Sequence, residues 1–215
     1  MITLFCTDQI YALDQIKDVL ASHIRHLPDK VSPIGVPLKI LRYEFPCEPI
    51  DILTWLYNQR VTRKIYWSDR GDRSGAPTFE IGGIGVADVL EGNGPVDHTE
   101  VFAHMEDRFS ADNPNLRYYG GINFQGAAAD FNWQSFGSYR FVVPRFELLN
   151  NGEQTLFAFN IALKDINPEN IGAIVKDLDA IDFSPTTTYR RPPKVSVRHD
   201  YPDRQGWEAA FAKAK

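Results

Sequence analysis

The sequence predicts an α+β fold in which an antiparallel-dominated sheet is covered by helices on one face. Three observations predict it. Amphipathic helical stripes occur in three well-separated stretches, alternating β runs lie between them, and two of those runs flank an Asn-Gly turn. The chain has 215 residues, 43% apolar and 13% aromatic, which is enough to bury a sizeable core.

The first helix is expected over 10–27, because Leu13, Ile16, Leu20, Ile24 and Leu27 recur at spacings of three or four opposite Asp14, Lys17, Asp18 and His23, with Pro28 as its stop. Residues 37–45 alternate as a strand that Pro46 should end, and a short helix follows from Asp51 to Asn58. Three β segments are expected at 63–69, 78–90 and 116–124. A helix at 97–109 separates the last two, with Asp97 and Glu100 in capping-box positions and Val101, Met105 and Phe109 on one face. Runs 139–149 and 154–163 flank Asn150-Asn151-Gly152-Glu153, the pattern of a hairpin. A last internal helix spans 167–181, with Asn167 as its cap, Pro168 at the first position and Ile171, Ile174, Val175 and Leu178 facing one way.

This divides the chain into a lobe at 1–183, an extended connector at 184–205 carrying Pro185, Pro192, Pro193 and Pro202, and the start of a helix at 206–215. In that helix Trp207, Phe211 and Ala214 share a face, and no Gly or Pro closes it. So short a helix is marginal in water by itself, so the chain is expected to be cut from something longer, with the helix leading into an absent domain.

The formal net charge of −5 argues against a nucleic-acid partner, which requires a concentrated positive surface. No run approaches a membrane span and no signal-peptide apolar region follows Met1, so a cytoplasmic protein without a membrane partner is expected. Cys6 and Cys47 form no C-x-x-C and read as reduced structural thiols. His23 and His26 lie on the polar side of the first helix, while His98, His104 and His199 are scattered. The carboxylate pairs Asp97/Glu100, Asp69/Asp72 and Asp177/Asp179 are accounted for by a cap, a turn and a helix end. Gly82-Gly83-Ile84-Gly85 lacks the G-x-G-x-x-G spacing and sits in a β run, where glycines mark a bulge or a close backbone approach; Gly120-Gly121 reads the same way. Ser135 and Ser138 have no nucleophile context, and Arg190, Arg191, Lys194, Arg198 and Arg204 read as a solvated basic connector. No catalytic, cofactor-binding or metal-binding residue is assigned.

Taken together and in order, several strings resemble the N-terminal lobe of the chorismate-utilising enzymes, in particular isochorismate synthases of the menaquinone type. They are Ile52-Leu53-Thr54-Trp55-Leu56, Lys64-Ile65-Tyr66-Trp67-Ser68-Asp69-Arg70, Gly82-Gly83-Ile84-Gly85-Val86-Ala87, Arg117-Tyr118-Tyr119-Gly120-Gly121-Ile122-Asn123-Phe124 with Trp133 and Phe136, and Phe141-Val142-Val143-Pro144-Arg145-Phe146-Glu147-Leu148. The resemblance covers roughly 50–150 and returns at 202–211.

The resemblance implies an isomerase that converts chorismate to isochorismate with magnesium. It also implies a general-base lysine, an acid glutamate and magnesium carboxylates that all lie beyond Lys215. The fragment alone is then expected to be inactive and to bind no magnesium. Its partner would be the chorismate-binding C-terminal domain of the same chain, and its substrate chorismate. The implied architecture is half of an α/β/β/α sandwich, with helices 10–27, 97–109 and 167–181 on one face and an apolar opposite face open to self-association. Tyr66, Phe141 and Phe157 are the candidates for that face. Salicylate, anthranilate and aminodeoxychorismate synthases remain alternatives, as does a complete, non-catalytic binding module.

Overall fold

The computed structural model describes residues 10–30, 39–69, 79–109, 113–123, 136–184 and 201–213. Cys6, Asp72, Trp133, Ser135, His199 and the connector basics other than Arg204 lie outside the described residues. The chain forms two compact units, Met1–Pro185 and Thr186–Lys215. Among its described residues the second contains one helix, α6 in the numbering below (Arg204–Lys213), in which Trp207 and Phe211 stack with their rings 5.9 Å apart and both remain exposed.

The first unit is built in the order α1 (Leu13–Arg25), α2 (Leu27–Lys30), β1 (Ile40–Cys47), α3 (Ile52–Asn58), β2 (Lys64–Ser68), β3 (Glu80–Ile84), β4 (Asp88–Gly92), α4 (His98–Glu106), β5 (Tyr119–Ile122), β6 (Tyr139–Val143), β7 (Phe146–Asn150), β8 (Thr155–Ala162) and α5 (Pro168–Asp179). All its ladders are antiparallel. They make a five-stranded sheet, β1-β8-β7-β3-β2, and a three-stranded sheet, β4-β6-β5. Among the described residues no helix is long and apolar enough to cross a membrane.

One face of the large sheet carries the main core. Leu41, Tyr43 and Phe45 of β1, Phe157, Phe159 and Ile161 of β8, and Phe146 and Leu148 of β7 pack there against Ile16, Leu20 and Ile24 of α1, Ile52, Trp55 and Leu56 of α3, and Ile171, Ile174 and Leu178 of α5. The helices begin where their caps dictate: Asp51 accepts from the Thr54 N–H, Asp97 from those of Thr99 and Glu100, and Asn167 from that of Asn170. Lys17 of α1 donates its ammonium to the carbonyls of Asp179 and Ile181, placing a cation where the α5 dipole is negative.

Several expectations are corrected by this arrangement. The run 78–90 is two strands, β3 and β4, in different sheets, and 139–149 likewise splits into β6 and β7. Both breaks occur at one level. Gly85 adopts φ 67° between β3 and β4, Pro144-Arg145 separates β6 from β7, and pairing continues across the corner through Ala87 N–H to the Val143 carbonyl and Arg145 N–H to the Ile84 carbonyl. The helix expected at 97–109 does not cover the large sheet. As α4, it packs Val101 and Met105 on Leu90, Tyr139 and Phe141 of the small one, and α3 takes the place on the large sheet. Phe157, expected on the open face, is fully buried under the helices because its odd position in β8 points that way, and Phe141 packs beneath α4; Tyr66 is 41% exposed. Pro46 does not end β1, since an edge strand has no outward ladder bond for a proline to break. Pro28 is the second residue of the short α2 instead of stopping α1, which ends at Arg25 with His26 as its C-cap.

The glycines of β3 mark close approaches, as expected. A Cβ on Gly82 would lie 2.6 Å from Ile52 Cγ2, and one on Gly83 2.5 Å from Pro144 Cγ. Gly172, in the middle of α5, has open space around it. Gly82→Val should therefore lower stability by about 1–3 kcal/mol through overpacking. Gly172→Ala should raise it by roughly 0.5–1 kcal/mol through helix propensity. Urea denaturation of the two variants checks both signs.

Candidate functional site

The second face of the large sheet is where the chemistry-bearing side chains gather. The ladder registers put Arg42 and Glu44 of β1, Asn160 of β8, Glu147 of β7, and Ile65 and Trp67 of β2 on this face, because side chains alternate along each strand. Arg42 Nε donates to Glu44 Oε1 at 2.6 Å, and Arg42 Nη1 to Glu147 Oε2 at 2.9 Å and Asn160 Oδ1 at 3.1 Å. Asn115 donates to the second Glu44 oxygen and the Tyr119 hydroxyl to Glu147 Oε1. Arg42, Glu147 and Asn160 are 3%, 0% and 0% exposed. Burial works against the Arg42 charge, but the adjacent Glu147 and Glu44 carboxylates more than reverse that, so the guanidinium holds its proton more tightly than usual.

A parallel arrangement holds the small sheet. Buried Asp88 of β4 accepts from Arg108 Nε at 3.1 Å, from Lys164 Nζ at 3.3 Å and from the Tyr118 hydroxyl. Burial, reinforced by the carboxylate each hydroxyl faces, pushes both the Tyr118 and Tyr119 phenols well above their ordinary value, and burial pushes the Cys47 thiol up to about 12. The two tyrosine hydroxyls are thus committed inward.

Their rings help to wall a groove between the β2 edge and β5. It has a volume of about 700 Å³, and Ile65, Trp67, Phe79, Arg117, Tyr118 and Tyr119 are among its lining residues. A contiguous cavity of about 320 Å³ shares Lys64, Ile65, Tyr119 and Gly120 with it and adds Arg63, Phe136 and Arg140. Trp67 meets Phe79 edge-on at 5.4 Å, and the Arg117 guanidinium lies 4.7 Å over the Phe79 ring while donating to the Asn115 carbonyl. Among the described residues neither lining contains an aspartate or glutamate, and those residues combine aromatic surface with positive charge.

A separate cavity of about 380 Å³ on the helix side is lined by Ile84, Arg145, Phe146, Asp165, Ile174 and Asp177, among others. Burial lowers the Arg145 pKa, and Asp165, 3.4 Å away, offsets part of the effect.

No sequence-assigned catalytic, cofactor or metal residue exists to be placed, but the bland readings can be located. His23 and His26 bond through Nδ1 to the Val19 and Ser22 carbonyls of their own helix. Cys47 is a buried free thiol, and Ser138 Oγ accepts from the Gly94 N–H in a turn. Among the described residues no three His, Cys, Asp or Glu side chains are grouped to hold a metal. Sequence reasoning missed the groove. Its aromatic and cationic residues come from β2, the residue before β3, and β5 with the segment just before it, and only the pairing of β2 with β3 and the fold of β5 onto this face bring them together.

Two expectations follow. Arg42→Met, which leaves Glu44 and Glu147 buried without their cation, should cost about 3–5 kcal/mol, and Arg42→Met with Glu147→Leu appreciably less than the sum of the separate changes, measured as a double-mutant cycle in urea. For the raised acids the unfolded chain releases protons first, above about pH 8.5 for the thiol and 10 for the phenols, while the folded chain keeps them. Stability should therefore be unaffected by these groups near pH 7 and fall progressively above pH ~9, with Tyr118→Phe showing a shallower fall.

The comparisons with known proteins fit this fold. The model of a family described as chorismate binding enzyme matches residues 37–215. Isochorismate synthase 2, chloroplastic, of Arabidopsis thaliana is 29% identical over 148 residues, covering 57% of this chain and 25% of the plant protein. The structure of MenF, the menaquinone-specific isochorismate synthase from Escherichia coli, aligns with a TM-score of 0.54 at 16% identity, over 94% of this chain and 41% of that one. At that identity the likeness shows a shared fold of helices on antiparallel sheet, and the chain spans less than half the length of both relatives. With the family match running through both sheets and every helix after α2, the chain belongs to the family of chorismate-binding enzymes.

Proposed function

We propose that this chain is the N-terminal portion of an isochorismate synthase acting in menaquinone biosynthesis, and that the 215 residues alone are inactive. The observation that carries the proposal is the match to the chorismate-binding family over 37–215, supported by two relatives that are both isochorismate synthases. In this proposal the portion is a scaffold. The corner at Gly85 and Pro144 separates two sheets, and the Arg42 and Asp88 clusters hold the inner surfaces in place. The β2 edge, which has no further strand beside it among the described residues and where Trp67 is 48% exposed, is the surface the proposal gives to the chorismate-binding domain.

The family resemblance implies magnesium. The described residues do not fit it: the two carboxylates that share Arg42 on the inner face, Glu44 and Glu147, each pair with it through one oxygen and accept from Asn115 or the Tyr119 hydroxyl through the other, and no grouping of three ligands exists among those residues. No step through the metal is assigned to these side chains. The proposal places the ion, the base that activates water and the acid that protonates the departing hydroxyl in sequence outside these residues.

The test is turnover of chorismate by the 215-residue chain and by the same chain extended along its gene. The expected result is no isochorismate from the first and isochorismate from the second. Turnover at an enzyme-like rate by the shorter chain, or anthranilate or salicylate as the product of the longer one, would overturn the proposal.

A further inference from the structure

We propose that the turn between β7 and β8 is a self-modification site, at which Asn151 converts to aspartyl and isoaspartyl residues without an enzyme, while Asn93 is protected from the same reaction. Asn93-Gly94 and Asn151-Gly152 are the two Asn-Gly steps of the sequence, and a glycine without a Cβ leaves its nitrogen free to approach the preceding side chain. The reaction needs only water. The Gly152 nitrogen loses its proton to solvent and attacks Cγ of Asn151, forming a new N–C bond. The carboxamide C–N bond breaks, and its nitrogen takes a proton from solvent and leaves as ammonia. Water then opens the five-membered imide, giving aspartate where it adds to the side-chain carbonyl and isoaspartate where it adds to the main-chain one.

The two steps differ in what holds the attacking nitrogen and its target. In the hairpin, Asn151 Oδ1 accepts from the Glu153 N–H at 3.1 Å and the Gln154 N–H at 3.0 Å. Negative charge develops on that oxygen as the nitrogen adds to Cγ, and two backbone donors already aimed at it stabilise the charge. The Gly152 N–H donates to Asn150 Oδ1 at 2.9 Å, in a solvent-exposed bond that water replaces at little cost when the nitrogen turns to attack. At the other step the Gly94 N–H donates to Ser138 Oγ at 2.9 Å, and Ser138 is 0% exposed. Ser138 is itself fixed, donating its N–H to the Gly92 carbonyl and accepting from the Asn123 N–H. Attack by the Gly94 nitrogen would strip a buried hydroxyl of its donor, which costs more than breaking an exposed bond. Asn93 Oδ1 also lies 2.9 Å from where a Cβ on Gly137 would sit, so this carboxamide is packed against the backbone there. Of the two products at Asn151, aspartate keeps an acceptor for the turn. Isoaspartate adds one carbon to the main chain directly after the Asn150–Thr155 pair, at the end of the ladder that carries Glu147 and Asn160.

The experiment incubates the 215-residue chain at mildly alkaline pH, folded and in unfolding urea, and follows each asparagine by peptide mass spectrometry, with isoaspartyl carboxyl methylation as a second readout. Folding should leave the rate at Asn151 within about threefold of its value in urea and slow Asn93 by about tenfold or more. The Asn151 rate should rise with pH, since the deprotonated nitrogen is the attacking species. Ser138→Ala should accelerate Asn93 in the folded chain by about tenfold and leave Asn151 unchanged. The urea arm needs no variant to fold, so a Ser138 variant that loosens the whole lobe does not decide the matter alone. Folded-state slowing of Asn151 as large as that of Asn93, equal rates at the two sites in the folded chain, or an Asn93 rate indifferent to both urea and Ser138→Ala would each overturn the proposal. Chorismate turnover plays no part in the readout, so the outcome is independent of the synthase proposal.

Discussion

The architecture rests on a corner shared by two neighbouring strand pairs. β3 gives way to β4 at Gly85 and β6 to β7 at Pro144-Arg145, and because the two breaks are hydrogen-bonded to one another, a single long antiparallel strand pair is folded into two sheets. A flat continuation would have left one broad sheet with its second face in water. The bend instead turns Tyr119 and Leu116 back over that face, where Tyr119 joins Ile81, Leu149 and Leu156, and Leu116 joins Ile40, Ala87 and Val143. Gly83 is needed for the same reason, since Pro144 occupies the space its side chain would fill. The buried charges, the groove and the exposed β2 edge are all consequences of this geometry.

Covering that face makes the electrostatics expensive and specific. Arg42, Glu44 and Glu147 are removed from water together; Asn160, Asn115 and Tyr119 bond their remaining oxygens and one guanidinium nitrogen, while Arg42 Nη2 is left buried without a hydrogen-bond partner. Such a cluster contributes little net stability but penalises any other register of β1 on β8 or β7 on β8, since a one-residue slip would turn Arg42 or Glu147 toward the aromatic core. Specific pairing is the more important product.

Much of the fold was legible in the residues. The three amphipathic helices, the caps at Asp97 and Asn167 and the Asn150–Gln154 turn follow from periodicity and local hydrogen bonding, which depend on neighbours in sequence. The corner was not legible, because alternation persists on both sides of a bend and a strand that changes sheets keeps the same period; only Gly85 with its positive φ marks it. The inner charges were hidden for a related reason. In Ile40-Leu41-Arg42-Tyr43-Glu44 an alternating charged position looks solvent-facing unless a second layer is known to cover it. The groove depends on residues from β2, the residue before β3, and β5 with the segment just before it, so no local pattern could announce it.

The two borders of the large sheet differ in kind. At β1 the strand carries Pro46, which offers no N–H, and the Pro46 carbonyl is already taken by the Tyr11 amide, with Tyr11 bridged to Cys47 alongside. Further strands cannot be added there without displacing that segment. At β2 the backbone of Lys64–Ser68 is the last rung among the described residues. Among the described residues the sheet is consequently polarised, with the Tyr11 segment lying along its β1 border and no described strand beside its β2 border, so that within what is described the layer has room to grow on the β2 side.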